Sequence, residues 1–231
     1  MSYNPYTLSQ VDTTRQRTII SQVYAWMTAG LLVTGAIAMF VASSEALTGL
    51  ILGTPLYLVL ALVEFGLVWY LSSRINKLAV STATMLFLLY SALNGLTLSA
   101  IFLIYTSASI ATTFFITAGT FAAMSVYGYV TKRDLTTIGN LCFMALIGFL
   151  LASLVNIFLR STGLYWVLTY LGILIFVGLT AWDTQMIRRM SESASSETEG
   201  QRVAIFGALH LYLNFINLFL LLLRIFGNND D

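Results

Sequence analysis

Seven long apolar stretches constrain this chain more than any other feature of its sequence. Each is long enough to cross a bilayer as a helix, which takes about 20 residues. They cover approximately residues 22–42, 49–72, 79–103, 109–130, 136–159, 164–187 and 203–226. Only 9% of the residues are charged, whereas roughly a quarter are charged in soluble domains. The sequence therefore predicts an all-α polytopic membrane protein that forms a single seven-helix domain over residues 1–231.

The last stretch differs from the others because polar residues recur along one side of it. Four of them fall within an arc of roughly 80°, counted at 100° per residue: His210, Asn214, Asn217 and Arg224. Because polar groups that face lipid are costly, this side is expected to face protein or water. The seventh helix is therefore predicted to be central, with the other six packed around it.

The positive residues outside the spans predict the orientation. They concentrate in the N-terminal segment and in alternate connectors, while the connectors of the opposite side contain only Arg160. We expect residues 1–21 to be a cytoplasmic segment, the Ser/Glu-rich connector 188–202 to be a mobile cytoplasmic loop, and the C-terminus to lie outside. If the seventh helix were re-entrant, the C-terminus would return to the cytoplasm.

Few ionisable residues lie inside the spans, and each is a functional candidate because a charge in the membrane is costly. Asp183 lies in the cytoplasmic third of the sixth helix. Three residues are predicted at a similar depth, where they could join it in one cluster: Arg74, His210 and Asn214. Alternatively, Asp183 and Arg74 only pin two helices together. Glu64 is either a cation or proton site within a pore, or a protonated acid bonded to a neighbouring helix.

Other small and polar residues are predicted to serve packing. Arg224 is expected to anchor the outer helix end by snorkelling, and Cys142 to pack in an apolar run. Asn94 and Asn156 are expected to hydrogen-bond between helices. Five glycines indicate close helix contacts: Gly95, Gly119, Gly128, Gly148 and Gly178.

Several chemistries are excluded by the side chains available. The net charge of +1 gives nucleic acid no reason to bind. His210 has no matching serine motif for nucleophilic catalysis. Glu64 and Asp183 are not predicted at the same depth in the membrane, which a pair of catalytic carboxylates requires. One histidine and one cysteine are too few for haem or a transition metal. We predict that the chain is not an enzyme and holds no resident cofactor.

Four motifs follow one another along nearly the whole chain: GLTLS at 95–99, TAGTFAAMSVYGYVTKRDLT at 117–136, GLTAWDTQ at 178–185 and LYLNFINLFLLLLRIFG at 211–227. Together they resemble the transmembrane Bax inhibitor motif family in its bacterial branch. The resemblance implies a seven-helix bundle of the bacterial inner membrane with the last helix in the middle. It also implies a Ca²⁺ leak that responds to pH.

The same resemblance implies how the leak is gated. Two aspartates, in the sixth and seventh helices, share a proton and latch the closed state, and an arginine at the end of the second helix exchanges partners with them. Asp183 matches the first aspartate and Arg74 the arginine. Glu64 matches the second-helix acid of the family. Where the second aspartate is expected, this chain has Asn214.

Asn214 changes the expected response to pH. Two adjacent carboxylates share a proton near neutral pH, but an amide has no proton to share, so we expect pH gating to be weakened or shifted to lower pH. The amide can still hydrogen-bond Asp183, which allows a latch without titration. His210 could supply a substitute titration of opposite charge type, since histidine titrates near pH ~6.5.

Two classes of function follow. The first is a leak channel for Ca²⁺ and other cations, in which Asp183, Glu64, the Asn214 carbonyl and water form a weak, transient Ca²⁺ site along the ion pathway. The second is a membrane interaction protein that modulates a partner, such as a membrane-bound protease or a stress or cell-death component. The lipid bilayer, Ca²⁺ and protons are the partners expected in the first case, and another membrane protein in the second.

Overall fold

The computed structural model describes residues 5–75 and 77–228, with side chains described from Thr14 onward. The described chain is helical over most of its length. Its helices are α1 (Pro5–Ala42), α2 (Glu45–Leu52), α3 (Leu56–Arg74), α4 (Val80–Leu98), α5 (Ile101–Ile104), α6 (Ser107–Val130), α7 (Thr136–Leu159), α8 (Thr162–Ser193) and α9 (Glu197–Phe226).

Seven segments of the described chain are long and apolar enough to cross a membrane, and each overlaps one of the seven predicted stretches. The last segment, Glu197–Phe226, is the most buried, with 72% of its apolar window inside the protein and at most 44% in the others. These observations confirm the predicted all-α membrane bundle, and the burial of the last helix agrees with its predicted central place.

The second span is shorter than predicted. The apolar stretch 49–72 is divided, because α2 ends at Leu52 and α3 begins at Leu56. Pro55 lies at the break, and proline offers no backbone N–H and disfavours helix in the residue before it. The Ser44 hydroxyl caps α2 by accepting a hydrogen bond from the Leu47 amide at 3.4 Å.

The connector 188–202 also differs from the predicted loop. Helix α8 continues to Ser193 and α9 begins at Glu197. The Ser196 hydroxyl accepts a hydrogen bond from the Glu199 amide at 3.1 Å. In return, the Glu199 carboxylate accepts bonds from the Ser195 amide at 2.8 Å and the Ser195 hydroxyl at 2.9 Å. These reciprocal bonds are a helix N-cap, so the segment consists of two helix ends joined by a short turn.

The chain divides into two compact units, and α8 and α9 each contribute residues to both. Unit 1 consists of Met1–Ile104 and Ile187–Tyr212. Within it, α4 packs against both α1 and α3. Gly95 permits the close approach of α4 to α1, because an added Cβ would lie 2.8 Å from the Thr34 carbonyl oxygen and 2.8 Å from Ile37 Cβ. The prediction of a single domain is not tested by this division.

Unit 2 consists of Tyr105–Met186 and Leu213–Asp231. Its core joins buried residues of α8 to buried residues of α9: Ile175, Phe176, Leu179, Leu218, Leu221 and Leu222. Cys142 of α7 is a half-buried free thiol that packs beside this core, as predicted. Gly128 of α6 is so close to the Ala181 carbonyl of α8 that an added Cβ would clash with it.

Not all five glycines singled out from the sequence mark close helix contacts. Gly178 does, because an added Cβ would lie 2.6 Å from the Cys142 sulfur. At Gly119 and Gly148, however, an added Cβ would meet no described atom within 4 Å. The packing prediction is therefore wrong for these two positions, where nothing in the described chain requires the absence of a side chain.

Candidate functional site

A buried hydrogen bond joins α8 to α9 in unit 2. The side-chain amide of Asn214 donates from Nδ2 to Oδ2 of Asp183 over 2.6 Å. Asp183 is 3% exposed and Asn214 is 4% exposed, so both lie almost entirely inside the protein. Burying a charge is costly unless it is paired and hydrogen-bonded. The amide of Asn214 therefore supports the carboxylate of Asp183, as the predicted latch requires.

Helix α8 is held in place close to Asp183. The buried side chain of Gln185 accepts a hydrogen bond from the Leu135 amide at 2.9 Å and donates one to the Arg133 carbonyl at 2.8 Å. These bonds tie α8 to the connector between α6 and α7. We did not single out Gln185 from the sequence, although a glutamine two residues after a membrane aspartate could have indicated such an anchor.

The hydroxyls on either side of Asp183 bond within their own helix. Thr180 donates to the Phe176 carbonyl at 2.7 Å, and Thr184 donates to the Thr180 carbonyl at 2.8 Å. Both threonines are buried. Their donors are therefore used within α8, whereas the amide of Asn214 links Asp183 to α9.

The residue after Asn214, Phe215, packs against aromatic rings of α6. The ring of Phe215 makes edge contacts with Phe114 and Phe121 of α6, at centroid distances of 5.4 and 5.5 Å. Asn217, one turn after Asn214, donates to the Leu213 carbonyl at 2.8 Å. Asn217 therefore bonds within α9, whereas Asn214 bonds to α8.

Arg74 is the last residue of α3 and is exposed. It belongs to unit 1, whereas Asp183 and Asn214 belong to unit 2. Its exposure agrees with the predicted position at the end of the second span. The predicted exchange of partners with Asp183 stays a prediction.

Glu64 is half-buried on α3 and bonds to the neighbouring helix α4. Its Oε1 accepts a hydrogen bond from the Thr97 hydroxyl at 3.0 Å. Of the two interpretations of Glu64, the bond to a neighbouring helix is therefore present. Its predicted place on the ion pathway is not tested by this contact.

His210 is half-buried on α9 in unit 1, one turn before Asn214. Its ring lies against that of Phe206, with the centroids 4.3 Å apart. A role in proton sensing stays a prediction for both His210 and Asp183.

Arg224 lies exposed near the end of α9, and its guanidinium carbon is 5.1 Å from the centroid of the Tyr165 ring. A cation over an aromatic face gains electrostatic attraction. The contact agrees with the predicted anchoring of the helix end.

The described residues contain no group of three or more His, Cys, Asp or Glu side chains that could hold a metal ion. The predicted weak Ca²⁺ site is of a different kind, because it uses only the two carboxylates of Asp183 and Glu64, together with an amide oxygen and water. It therefore stays a prediction.

A second buried polar pair, in unit 1, was not predicted from the sequence. The hydroxyls of Thr34 and Tyr212 lie 2.7 Å apart, and the Thr34 hydroxyl also donates to the Ser91 carbonyl at 2.8 Å. The Tyr212 ring is 0% exposed and makes edge contacts with Phe87 and Tyr90. The available signal was a tyrosine in the middle of an apolar span, since a buried tyrosine hydroxyl usually finds a partner.

The family model described as "Inhibitor of apoptosis-promoting Bax1" matches residues 16–231. The chain belongs to this family. It is similar to the inner membrane protein YbhL of Escherichia coli K12, with 54% identity over 215 residues and 92% of each chain covered. It is also 47% identical over 214 residues to an uncharacterized protein of Borreliella burgdorferi, with 92% of each chain covered. The uncharacterized protein RP147 of Rickettsia prowazekii is 41% identical over 233 residues, which cover 98% of this chain and 99% of that one.

Membership of the Bax1 inhibitor family confirms the family resemblance stated from the motifs. Together with the seven spans, it establishes an integral membrane protein. The relatives' names give a location or no role at all. The activity is therefore inferred from the site.

Proposed function

We propose that this protein is a leak channel for Ca²⁺ and other cations, held closed by the hydrogen bond between Asp183 and Asn214. The observation that supports this proposal is the 2.6 Å contact between two side chains that are each at most 4% exposed. We further propose the inner membrane as its location, in line with the name of the E. coli relative. On this proposal the protein is not an enzyme, and Ca²⁺ is its cargo.

The pair suits a latch because the Asp183 carboxylate is in a different environment in the closed and the open state. In the closed state the carboxylate is buried, and hydrogen bonds to charged groups contribute about 1.5–3 kcal/mol. If α8 and α9 separate at this point, the freed carboxylate needs water, because an unpaired carboxylate in a membrane interior is costly. A hydrated acid then attracts cations. It binds them weakly enough for release, as conduction requires.

The remaining candidate residues have proposed roles around this latch. Arg74 is the alternative partner of the freed carboxylate, and Glu64 is the second acid of the ion pathway. Because Asn214 is uncharged, the latch responds only weakly to pH, and Asp183 and His210 are the groups through which protons could act.

The proposal is tested by Ca²⁺ efflux from vesicles that contain only the purified protein. We expect efflux above that of protein-free vesicles, and a rise of roughly tenfold in Asn214→Ala, which breaks the latch bond and keeps the Asp183 carboxylate on the ion pathway. The matched control is Thr169→Val, which removes a buried hydroxyl of α8 that, among the described residues, bonds to the Tyr165 carbonyl at 2.9 Å. This variant is expected to leak like the wild type.

The outcome also separates the two classes of function. If the wild type and Asn214→Ala both leak no faster than protein-free vesicles, the channel proposal is wrong. In that case the membrane interaction role becomes the better hypothesis, and removal of the polar N-terminus or of the 188–202 turn should abolish the activity seen in cells.

A further inference from the structure

A cavity of about 580 Å³ lies in unit 1 between the end of α8 and the beginning of α9. Two arginines line it, Arg189 from α8 and Arg202 from α9. The hydroxyl-bearing residues Ser193 and Ser196 also line it. Val203 and Phe206 extend the lining towards the apolar part of α9. The cavity therefore has cationic, hydroxyl-bearing and apolar side chains in its lining.

The position of the cavity along the helices matches a membrane surface. Arg189 follows the apolar stretch 164–187, and Arg202 immediately precedes the stretch 203–226. Residues at the ends of apolar spans lie at the level of the lipid headgroups. By the distribution of positive residues in the connectors, this is predicted to be the cytoplasmic leaflet.

The charges around the cavity favour an anion. Glu199 also lines it, but its carboxylate accepts two hydrogen bonds from Ser195 and so serves as part of the α9 cap. Arg202 donates from Nε to the Leu78 carbonyl at 3.1 Å, which uses one of the five N–H groups of a guanidinium. Leu78 follows Lys77 and lies four residues after Arg74, the last residue of α3, and both basic residues are exposed. The chain segment that Arg202 contacts therefore adds positive charge.

The helix N-terminus itself is not the source of the anion preference. One amide of its first turn, that of Glu199, already donates to the Ser196 hydroxyl. Two acidic residues, Glu197 and Glu199, occupy the first turn of α9 and disfavour an anion there. Arg189 and Arg202 each carry five N–H donors, more than one bond uses, and planar guanidinium groups match phosphate oxygens well.

We propose that this cavity binds the phosphate headgroup of an anionic phospholipid. Arg189 and Arg202 contact the phosphate oxygens, the Ser196 hydroxyl donates a hydrogen bond, and Phe206 meets the glycerol and the start of an acyl chain. The Ser193 hydroxyl already donates to the Arg189 carbonyl at 3.0 Å and only lines the cavity. Basic pockets between membrane helices are suited to such headgroups. The proposal is independent of the cation leak, because it concerns binding alone and uses no residue of the latch.

The test is native mass spectrometry of the full-length protein, delipidated in detergent and titrated with phosphatidylglycerol or with phosphatidylcholine of the same acyl chains. We expect a preference of at least about fivefold for phosphatidylglycerol. Arg189→Gln and Arg202→Gln should each weaken its binding by roughly fivefold, since one arginine near a lipid surface contributes about that factor. Arg133→Gln, an equal charge change at an exposed position outside the cavity, should leave binding within about twofold of the wild type.

Two further measurements keep the result decisive. Arg202 also supports the Leu78 carbonyl, so Arg202→Lys is included to keep the charge, and the thermal midpoint of each variant is recorded. If Arg202→Gln unfolds, the loss of phosphatidylglycerol binding in Arg189→Gln tests the proposal alone. Equal binding of the two lipids by the wild type would overturn the proposal, as would equal losses in Arg189→Gln and Arg133→Gln. Inorganic phosphate at millimolar concentration should not displace the lipid. If it binds instead of the lipid, the membrane source is wrong.

Discussion

Helix α9 takes part in two buried polar pairs whose α9 members, Tyr212 and Asn214, are two residues apart in the sequence. In unit 1, the Tyr212 hydroxyl meets the Thr34 hydroxyl at 2.7 Å. In unit 2, the Asn214 amide meets the Asp183 carboxylate at 2.6 Å. Threonine and tyrosine hydroxyls carry no charge near neutral pH, whereas a carboxylate is normally ionised there. The two hydrogen bonds are similar in length and burial, but only the bond of Asp183 contains a group that is normally charged.

This difference separates a structural contact from a candidate switch. Breaking the hydroxyl pair exposes two neutral groups that water or a backbone carbonyl can satisfy. Breaking the pair of Asp183 and Asn214 frees an acid that needs either water or a cation. Under the proposed function, only the second pair links the separation of two helices to the entry of ions.

Both pairs also lie beside a close backbone approach. Gly95 faces the Thr34 carbonyl in unit 1, and Gly128 faces the carbonyl of Ala181, two residues before Asp183, in unit 2. In each unit a glycine thus lets a second helix approach close to the residue that forms the polar pair. The two pairs are therefore alike in the close helix approach beside them, and they differ in whether they contain a carboxylate.

The largest expected effect is on the leak rate when each pair is broken in turn. Asn214→Ala removes the amide from the Asp183 carboxylate and should raise Ca²⁺ efflux from proteoliposomes by roughly tenfold or more, since hydrogen bonds to charged groups are worth about 1.5–3 kcal/mol. Tyr212→Phe keeps the ring and removes only the hydroxyl, so its efflux should stay within about twofold of the wild type. Equal effects of the two substitutions would erase the distinction between the pairs.

An intermediate effect is expected from Gly128→Ala, which tests the support of the latch. The added Cβ clashes with the Ala181 carbonyl, so we expect the free energy of unfolding to fall by about 1–3 kcal/mol, as in other overpacked cores. Thermal unfolding in detergent measures this loss. The control is Gly119→Ala on the same helix, where an added Cβ meets no described atom within 4 Å. A control that is as unstable as Gly128→Ala would show that the close approach to α8 is not the cause.

The smallest expected effect is the pH dependence of the wild-type leak. The latch contains one carboxylate and an uncharged amide, so no shared proton is lost between pH 6 and 8. We expect the efflux rate to change by less than about threefold across this range. This corresponds to a change of less than about 0.7 kcal/mol in the activation free energy of efflux. A steep change near pH ~6.5 that disappears in His210→Gln would instead assign the titration to histidine.

The membrane spans could be predicted because their signal is local. An apolar run of about 20 residues has few alternatives to a transmembrane helix. The predicted helix boundaries were wrong where single residues break or cap a helix. Pro55 divides an otherwise continuous apolar stretch. Ser196 and Glu199 cap α9 where the Ser/Glu-rich composition of 188–202 suggested a loop.

The site was predictable where its residues are of types that are rare in membrane helices. Asp183 and Asn214 were conspicuous because charged and amide side chains are rare in membrane helices, and their pairing follows from their similar depth. Thr34 and Tyr212 were missed because hydroxyl residues are common in such helices and their sequence gives no partner. Gln185 was missed because its partners are the backbone groups of residues 133 and 135, which no side-chain pattern reveals.

Exchanging the two members of the latch tests the central claim most directly. At pH 8, Asn214→Asp places two carboxylates together, and their repulsion should raise Ca²⁺ efflux from proteoliposomes by roughly tenfold. Adding Asp183→Asn restores one acid and one amide in reversed positions, and the efflux of this double variant should return to within about twofold of the wild type. If the double variant leaks as fast as Asn214→Asp alone, the bond between α8 and α9 does not hold the channel closed.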